Sequence, residues 1–243
     1  ASGYRALSNT TTGACNTGMG MRTLYANSTG HSQTAVGTCA LTTTTTGNRN
    51  TAVGITALDA ITTGDNNTAV GWEASFSNLT TSNNAAFGFQ ALKYNTGGAY
   101  STAVGAEVLW TNTIGSRNTG VGYRALKSNV SGNYNAAFGY EAGKNSLGSN
   151  NIFIGYKSGS STASVSESNK LYIHNDTSGP PGSATGPLIG GDFSASQVYI
   201  NGSLSISGSL TVGGVDVASG GGGGTPGGNN TEIQYNNGGA FAG

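Results

Sequence analysis

Charge is what this chain has least of. Lys, Arg, Asp and Glu make up 8% of its 243 residues and cancel to a net charge of zero, against roughly a quarter in ordinary soluble domains. Such a chain carries no electrostatic footprint for nucleic acid or an anionic membrane. Cys15 and Cys39 fall at unrelated positions, so no disulfide framework or metal-ligand spacing is visible. The two histidines, His31 and His174, lie far apart, with no nucleophile or metal partner in a readable motif. No apolar run reaches the roughly 18 residues of a membrane-spanning helix, and no signal-peptide pattern opens the chain. The chain starts in mid-repeat and ends in an unfinished module, so it reads as a segment of a longer protein. Low charge without much apolar content would suit disorder, but disordered chains carry high net charge and no strict period.

What is present is glycine, at strict intervals. Gly3, Gly20, Gly37, Gly54, Gly71, Gly88, Gly105, Gly122 and Gly139 recur every 17 residues, and Gly155 follows one residue early. A fixed short period marks a solenoid, whose units are too small to bury a core alone and stack on their neighbours. Aligned on that glycine, the unit reads N-T-A-V-G-x-x-A-L followed by polar residues, and is clearest at Asn50–Gly54 and Asn67–Gly71.

Each column of the repeat has a physical reading. Two residues before the glycine stand Ala35, Ala52, Ala69, Ala86, Ala103 and Ala137. A column held to one methyl group implies close approach to another backbone or tight stacking within the coil. One residue later come Met19, Val36, Val53, Val70, Phe87, Val104, Val121, Phe138 and Ile154. Neighbours in a strand point to opposite faces, so both faces are apolar and both call for cover. The chain's own coil covers one; a second copy is the simplest cover for the other. We expect the Ala face to be the one packed between copies.

Ala-Leu pairs such as Ala40-Leu41 and Ala57-Leu58 read as the returning half of the coil. Between glycine and that pair lies a largely charged column, Arg5, Arg22, Glu73, Glu107, Arg124, Glu141 and Lys157, whose mixed signs avoid like-charge stacking. Asn16, Asn50, Asn67, Asn84, Asn118, Asn135 and Asn151 recur four residues before the glycine, as expected of a hydrogen-bonded ladder at a corner. A second glycine column, including Gly13, Gly30, Gly47, Gly64, Gly98, Gly115 and Gly132, reads as the opposite corner. The apolar spacing does not sustain a helical pattern, so two short strands and two turns per unit are expected. With one strand spacing of about 4.8 Å per turn, ten turns make a segment of about 45–50 Å.

The expected fold class is therefore all-β: a parallel β-roll or β-helix solenoid of 17-residue repeats, homotrimeric, followed by a small β-rich module. The shaft covers residues 1–159 and the β-rich module 160–218. A Gly-rich linker follows at 219–228, and 229–243 opens a further module. Within the module, Lys170–His174, Leu188–Phe193 and the alternating stretch Val198–Val212 read as strands.

The N-T-A-V-G-x-x-A-L unit is similar to the head repeats of trimeric autotransporter adhesins, where an N-S-x-A-I-G-like motif at a shorter period builds a left-handed parallel β-roll in a trimer. Asn169–Ile173 with Pro187–Phe193 resembles a module that follows such repeats in phage tail fibres. Gly228–Asn236 with Gly238–Phe241 resembles another fibre motif. These resemblances imply a structural segment of a phage tail fibre on the virion, extending and presenting a host-receptor-binding tip. The implied partners are the chain itself as a homotrimer, other tail or baseplate proteins, and a host-surface glycan or protein reached through a region outside this segment. A bacterial cell-surface trimeric adhesin is the alternative, and a capsule-degrading fibre the next.

No enzyme, cofactor or metal chemistry is expected. Gly220–Gly224 lacks the lysine and hydroxyl of a phosphate loop. Glu73, Glu107 and Glu141 recur every second turn, about 9.6 Å apart along the axis, and read as a solvated ladder rather than paired catalytic acids. Tyr4, Trp72, Phe89, Tyr123, Tyr140 and Tyr156 follow the repeat glycine. That column reads as packing, with a sugar platform as the sharper alternative. Thr17, Thr34, Thr51, Thr68, Thr102 and Thr119 form a further column, which strand propensity explains without invoking ice binding.

Overall fold

The computed structural model describes residues 1–160, 166–175, 187–201 and 204, and the backbone of 210–212 and 215–217. Residues 1–202 form one unit. Its core is a parallel solenoid with one three-residue strand per turn: β1 (Thr17–Met19), β2 (Thr34–Val36), β3 (Thr51–Val53), β4 (Thr68–Val70), β5 (Ala85–Phe87), β6 (Thr102–Val104), β7 (Thr119–Val121), β8 (Ala136–Phe138) and β9 (Ile152–Ile154). Each strand pairs parallel with the next in exact repeat register, so Thr51 faces Thr68 and Ala52 faces Ala69. Among the described residues there is no helix.

The expected second strand is not there. The stretch after the repeat glycine is a turn in which two residues per coil take left-handed backbone, for example Cys39 (φ 57°) and Leu41 (φ 53°). A non-glycine residue pays about 1–2 kcal/mol for that conformation. Rung-to-rung hydrogen bonds offset the cost: the Cys39 amide donates to Met21 O at 2.9 Å and the Leu41 amide to Ala57 O at 3.1 Å. The reversals also explain why Ala40 and Leu41, adjacent in sequence, are both fully buried. A strand would have sent one of them outward.

The repeat glycine is dictated by stacking as well as by conformation. Gly54 has φ +136°, and a Cβ there would lie 2.4 Å from the carbonyl oxygen of Gly71 on the next turn. The corner glycine column is less strict. Thr81 occupies it once, accepting a hydrogen bond from Asn84 Nδ2 at 3.0 Å through its hydroxyl.

The interior is filled by facing columns of small and large side chains. Leu24, Leu41, Leu58, Leu92, Leu109 and Leu126 are fully buried against the Ala column. Departures compensate one another. Where Val108 takes an alanine position, Gly120 gives way, since a Cβ there would sit 2.5 Å from the valine. Where Phe153 takes the Ala column, Gly143 and Gly159 replace leucines, and a Cβ at either would lie 2.6 and 2.4 Å from its ring.

The sheet continues past the end of the 17-residue period. β10 (Lys170–Ile173) pairs parallel with β9. β11 (Ile189–Asp192) and β12 (Gln197–Ile200) then add antiparallel, completing a twelve-stranded sheet. The expected strands at Lys170–His174 and Leu188–Phe193 are thus observed as β10 and β11. Ser203–Gly243 is a separate unit. Its described part is an antiparallel pair, β13 (Leu210–Val212) with β14 (Val215–Val217). The Pro-Gly turn at Gly179–Gly182, the linker at 219–228 and the motif at 229–243 lie outside the described residues.

Candidate functional site

The chemistry of this chain sits in ladders, because every side chain recurs beside its equivalents one strand spacing away. The Ala column comes first, because the structure corrects its assignment. Ala35, Ala52, Ala69, Ala103 and Ala137 are 0% exposed and Ala86 1%, all within a single chain. They form the inner wall of the coil and cannot also pack between copies. The small size answers to the facing leucines of the same chain. The outer wall is the neighbouring column, with Met19, Val53, Phe87, Val104, Phe138 and Ile154 all exposed.

The Asn column forms the expected ladder, and its geometry is specific. Asn50 Oδ1 accepts from the Asn67 amide at 2.9 Å, and Asn67 Oδ1 from the Asn84 amide at 3.0 Å. Each Nδ2 donates to a corner carbonyl one turn on, as from Asn50 to Gly64 O and from Asn118 to Gly132 O, both at 2.7 Å. A second Asn ladder runs beside the first. Asn27, Asn78, Asn95, Asn112 and Asn129 are fully buried at the same corner, where Asn129 Nδ2 and Asn118 Nδ2 share the Gly132 carbonyl. Asn112 Nδ2 donates to Asn95 Oδ1 at 3.1 Å, and Asn129 Nδ2 to Asn112 Oδ1 at 2.9 Å. Their 17-residue recurrence was available in the sequence, but Thr44, Ile61 and Ser146 interrupt the column and blur it. Asn129 Oδ1 is left without a donor where Ser146 takes the next rung.

The charged column is an ion-pair ladder. Glu73 receives Lys93 Nζ at 2.8 Å and Gln90 Nε2 at 2.7 Å. Glu107 receives Arg124 Nε at 2.9 Å and Lys127 Nζ at 2.6 Å, and Lys144 reaches Glu141 at 2.9 Å. The Lys93 hydrogen bond holds the Glu73 carboxyl below the ordinary glutamate range, and the Arg124 hydrogen bond does the same at Glu107. These carboxylates are committed to cations and do not converge on a common point.

The aromatic column is exposed and partly self-stacked. Trp72 and Phe89 have ring centroids 5.1 Å apart, Tyr123 and Tyr140 5.3 Å, and Tyr140 and Tyr156 5.2 Å. Tyr140 and Tyr156 stack with 19° between planes, whereas Tyr123 and Tyr140 are tilted at 31° and Trp72 and Phe89 at 57°, so neighbouring rings pack on one another along the column. The Thr column, with Ala85, Ala136 and Ile152 standing in it, flanks the Val column on the same face of the sheet.

The histidines stay apart. His31 Nδ1 accepts from the Ala14 amide at 3.0 Å, and His174 Nδ1 from the Leu188 amide at 3.2 Å. Both cysteines are free. Among the described residues no three His, Cys, Asp or Glu side chains gather as metal ligands. A small void lined by Ser146, Asn151, Phe153, Gly159, Glu167 and Tyr172 has room for about one water molecule. The extended surface of the sheet is therefore the feature with the most to offer a partner. No protein-family model, curated protein or solved structure matches this chain.

Proposed function

We propose that this chain is a structural segment of a phage tail fibre, a homotrimeric shaft that carries a host-receptor-binding tip away from the virion. The observation that carries this reading is the unbroken rung-on-rung ladder from β1 to β9, each pair in the same register. Nine strands at about 4.8 Å extend about 40 Å along one direction. Backbone ladders and buried Asn ladders tie every turn to the next, so length is gained without a hinge. Such an element transmits position and force. Three copies of a tip at its end add weak contacts as avidity. Its partners on this reading are its own copies, tail or baseplate proteins on one side, and a host-surface glycan or protein reached through the tip.

Light scattering coupled to size exclusion tests the assembly, with three times the 24.1 kDa chain mass expected. Immunogold microscopy with an antibody against residues 1–160 tests the location. Label along the tail fibres of virions is expected; label on uninfected bacterial surfaces would replace this reading with a cell-surface adhesin.

A further inference from the structure

The outer face of the solenoid sheet is free of charge and lined by exposed large apolar side chains. Three columns make it: the Thr column, the Val column and the aromatic column that follows the repeat glycine. Not one Asp, Glu, Lys or Arg stands in any of the three across all the turns. Every charged residue of positions 1–160 falls two or five residues after the repeat glycine, or five or six before it. Val53 is 37% exposed, Trp72 49%, Phe87 40% and Phe138 44%. The coil's own interior is already full of Ala and Leu, so these side chains have nothing left in their own turn to cover them.

The size of the face is that of an interface. Nine rungs of about 4.8 Å and a width of about 13 Å, that of a three-residue strand and its glycine, give about 500 Å² in projection. The largest apolar patch on a typical monomer is about 300–600 Å². Two such faces in contact bury about 1,000 Å², the level at which specific association begins. Its texture selects the partner. Val and Phe ridges repeat every strand spacing, and they interlock along their whole length only with a surface of the same repeat. A second copy of this chain has that repeat and is equally uncharged.

Resting on the fibre reading above, we infer that the copies meet through this outer sheet face, parallel and level, with each Val-column residue facing its own equivalent. Cyclic symmetry about an axis along the solenoid places Val53 beside Val53 and Phe87 beside Phe87. The Ala column lies on the far side of the same strands and takes no part. The aromatic column, on one flank of the face, closes the seam against the neighbouring copy.

Two variants test the face. Val53→Glu and Val104→Glu put a carboxylate on an exposed position, so each should fold as a single chain and retain its circular dichroism and melting transition. Their mass should fall from three copies to one. A wild-type assembly that survives both substitutions overturns this face and leaves the fibre reading standing. A wild-type monomer at all concentrations overturns both. Cross-linking tests the orientation. With Cys15 and Cys39 changed to Ser, Val53→Cys should give disulfide-linked dimers on mild oxidation, and Thr46→Cys, exposed on another side of the coil, should not. An antiparallel pair would set Val53 against a residue near Val121. Failure of Val53→Cys to link to itself in an intact assembly would therefore overturn the parallel, level arrangement.

Discussion

Ala69 and Val70 are neighbours in β4, yet their surroundings have almost nothing in common. Ala69 looks into a coil where a larger residue has no room, and Val70 looks out over a face where size is free to vary. The sequence records the difference. The inner column varies only between Ala and Gly until Phe153, whereas the outer one runs through Met, Val, Phe and Ile. Inner positions are set by the facing leucines of the same chain, and each exception is offset within reach, as Gly120 offsets Val108. Outer positions keep only the absence of charge. Constraint on volume is the signature of packing within the coil, and constraint on polarity alone is the signature of a surface awaiting cover.

The sharpest way to break that contrast is to put the same charge on both sides. Ala69→Arg buries an unpaired guanidinium and should cost about 4 kcal/mol or more, enough to prevent folding as followed by urea titration. Val70→Arg should leave the folded coil intact. If the two variants unfold alike, the inner and outer assignment is wrong. Next comes Gly54→Ala. It adds a Cβ into the Gly71 carbonyl and forces left-handed backbone on alanine, so a loss of about 3 kcal/mol is expected in the same titration. Asn118→Ala should cost about 2 kcal/mol, because it strands the buried Asn135 amide and leaves the Gly132 carbonyl with Asn129 Nδ2 as its remaining donor. Hydrogen exchange at the Asn135 amide should speed up more than at amides three turns away.

Much of this was legible because a solenoid writes its contacts at a fixed interval. The period, the parallel register, the glycine stacks and the first Asn ladder follow from counting alone. The direction of the Ala column did not. Alternation shows that Ala and Val lie on opposite faces, but not which is inside. The answer lay in Ala40-Leu41 and its equivalents, whose paired burial requires left-handed backbone at Cys39 and Leu41. Nothing in a Cys or Leu announces that conformation, so the returning half was expected to be a strand. The continuation of the sheet through β10 to β12 was equally hidden, since the period stops before the strands do.

The smallest effect belongs to the ion-pair ladder, which lies outside both the inner and the outer column and should be indifferent to them. The Glu73 and Glu107 carboxyls are held below the ordinary glutamate value of 4.5, chiefly by hydrogen bonds from Lys93 and Arg124. The folded state therefore favours their charged form. Their contribution is complete above the unfolded value and disappears as the pH falls through the lower folded one. Asp59 works the other way: burial raises its carboxyl above 3.8, so acid relieves rather than adds to its cost. Half-screened pairs of this kind are worth about 0.2–1 kcal/mol each. Stability by urea titration should thus drop by about 1 kcal/mol between pH 7 and pH 3. Glu107→Gln should flatten part of that slope and remove most of its salt dependence. A Glu107→Gln protein with the full wild-type slope would mean that the Arg124 and Lys127 contacts lend the fold no pH-dependent stability, and that the coil rests on its Leu, Ala and Asn columns alone.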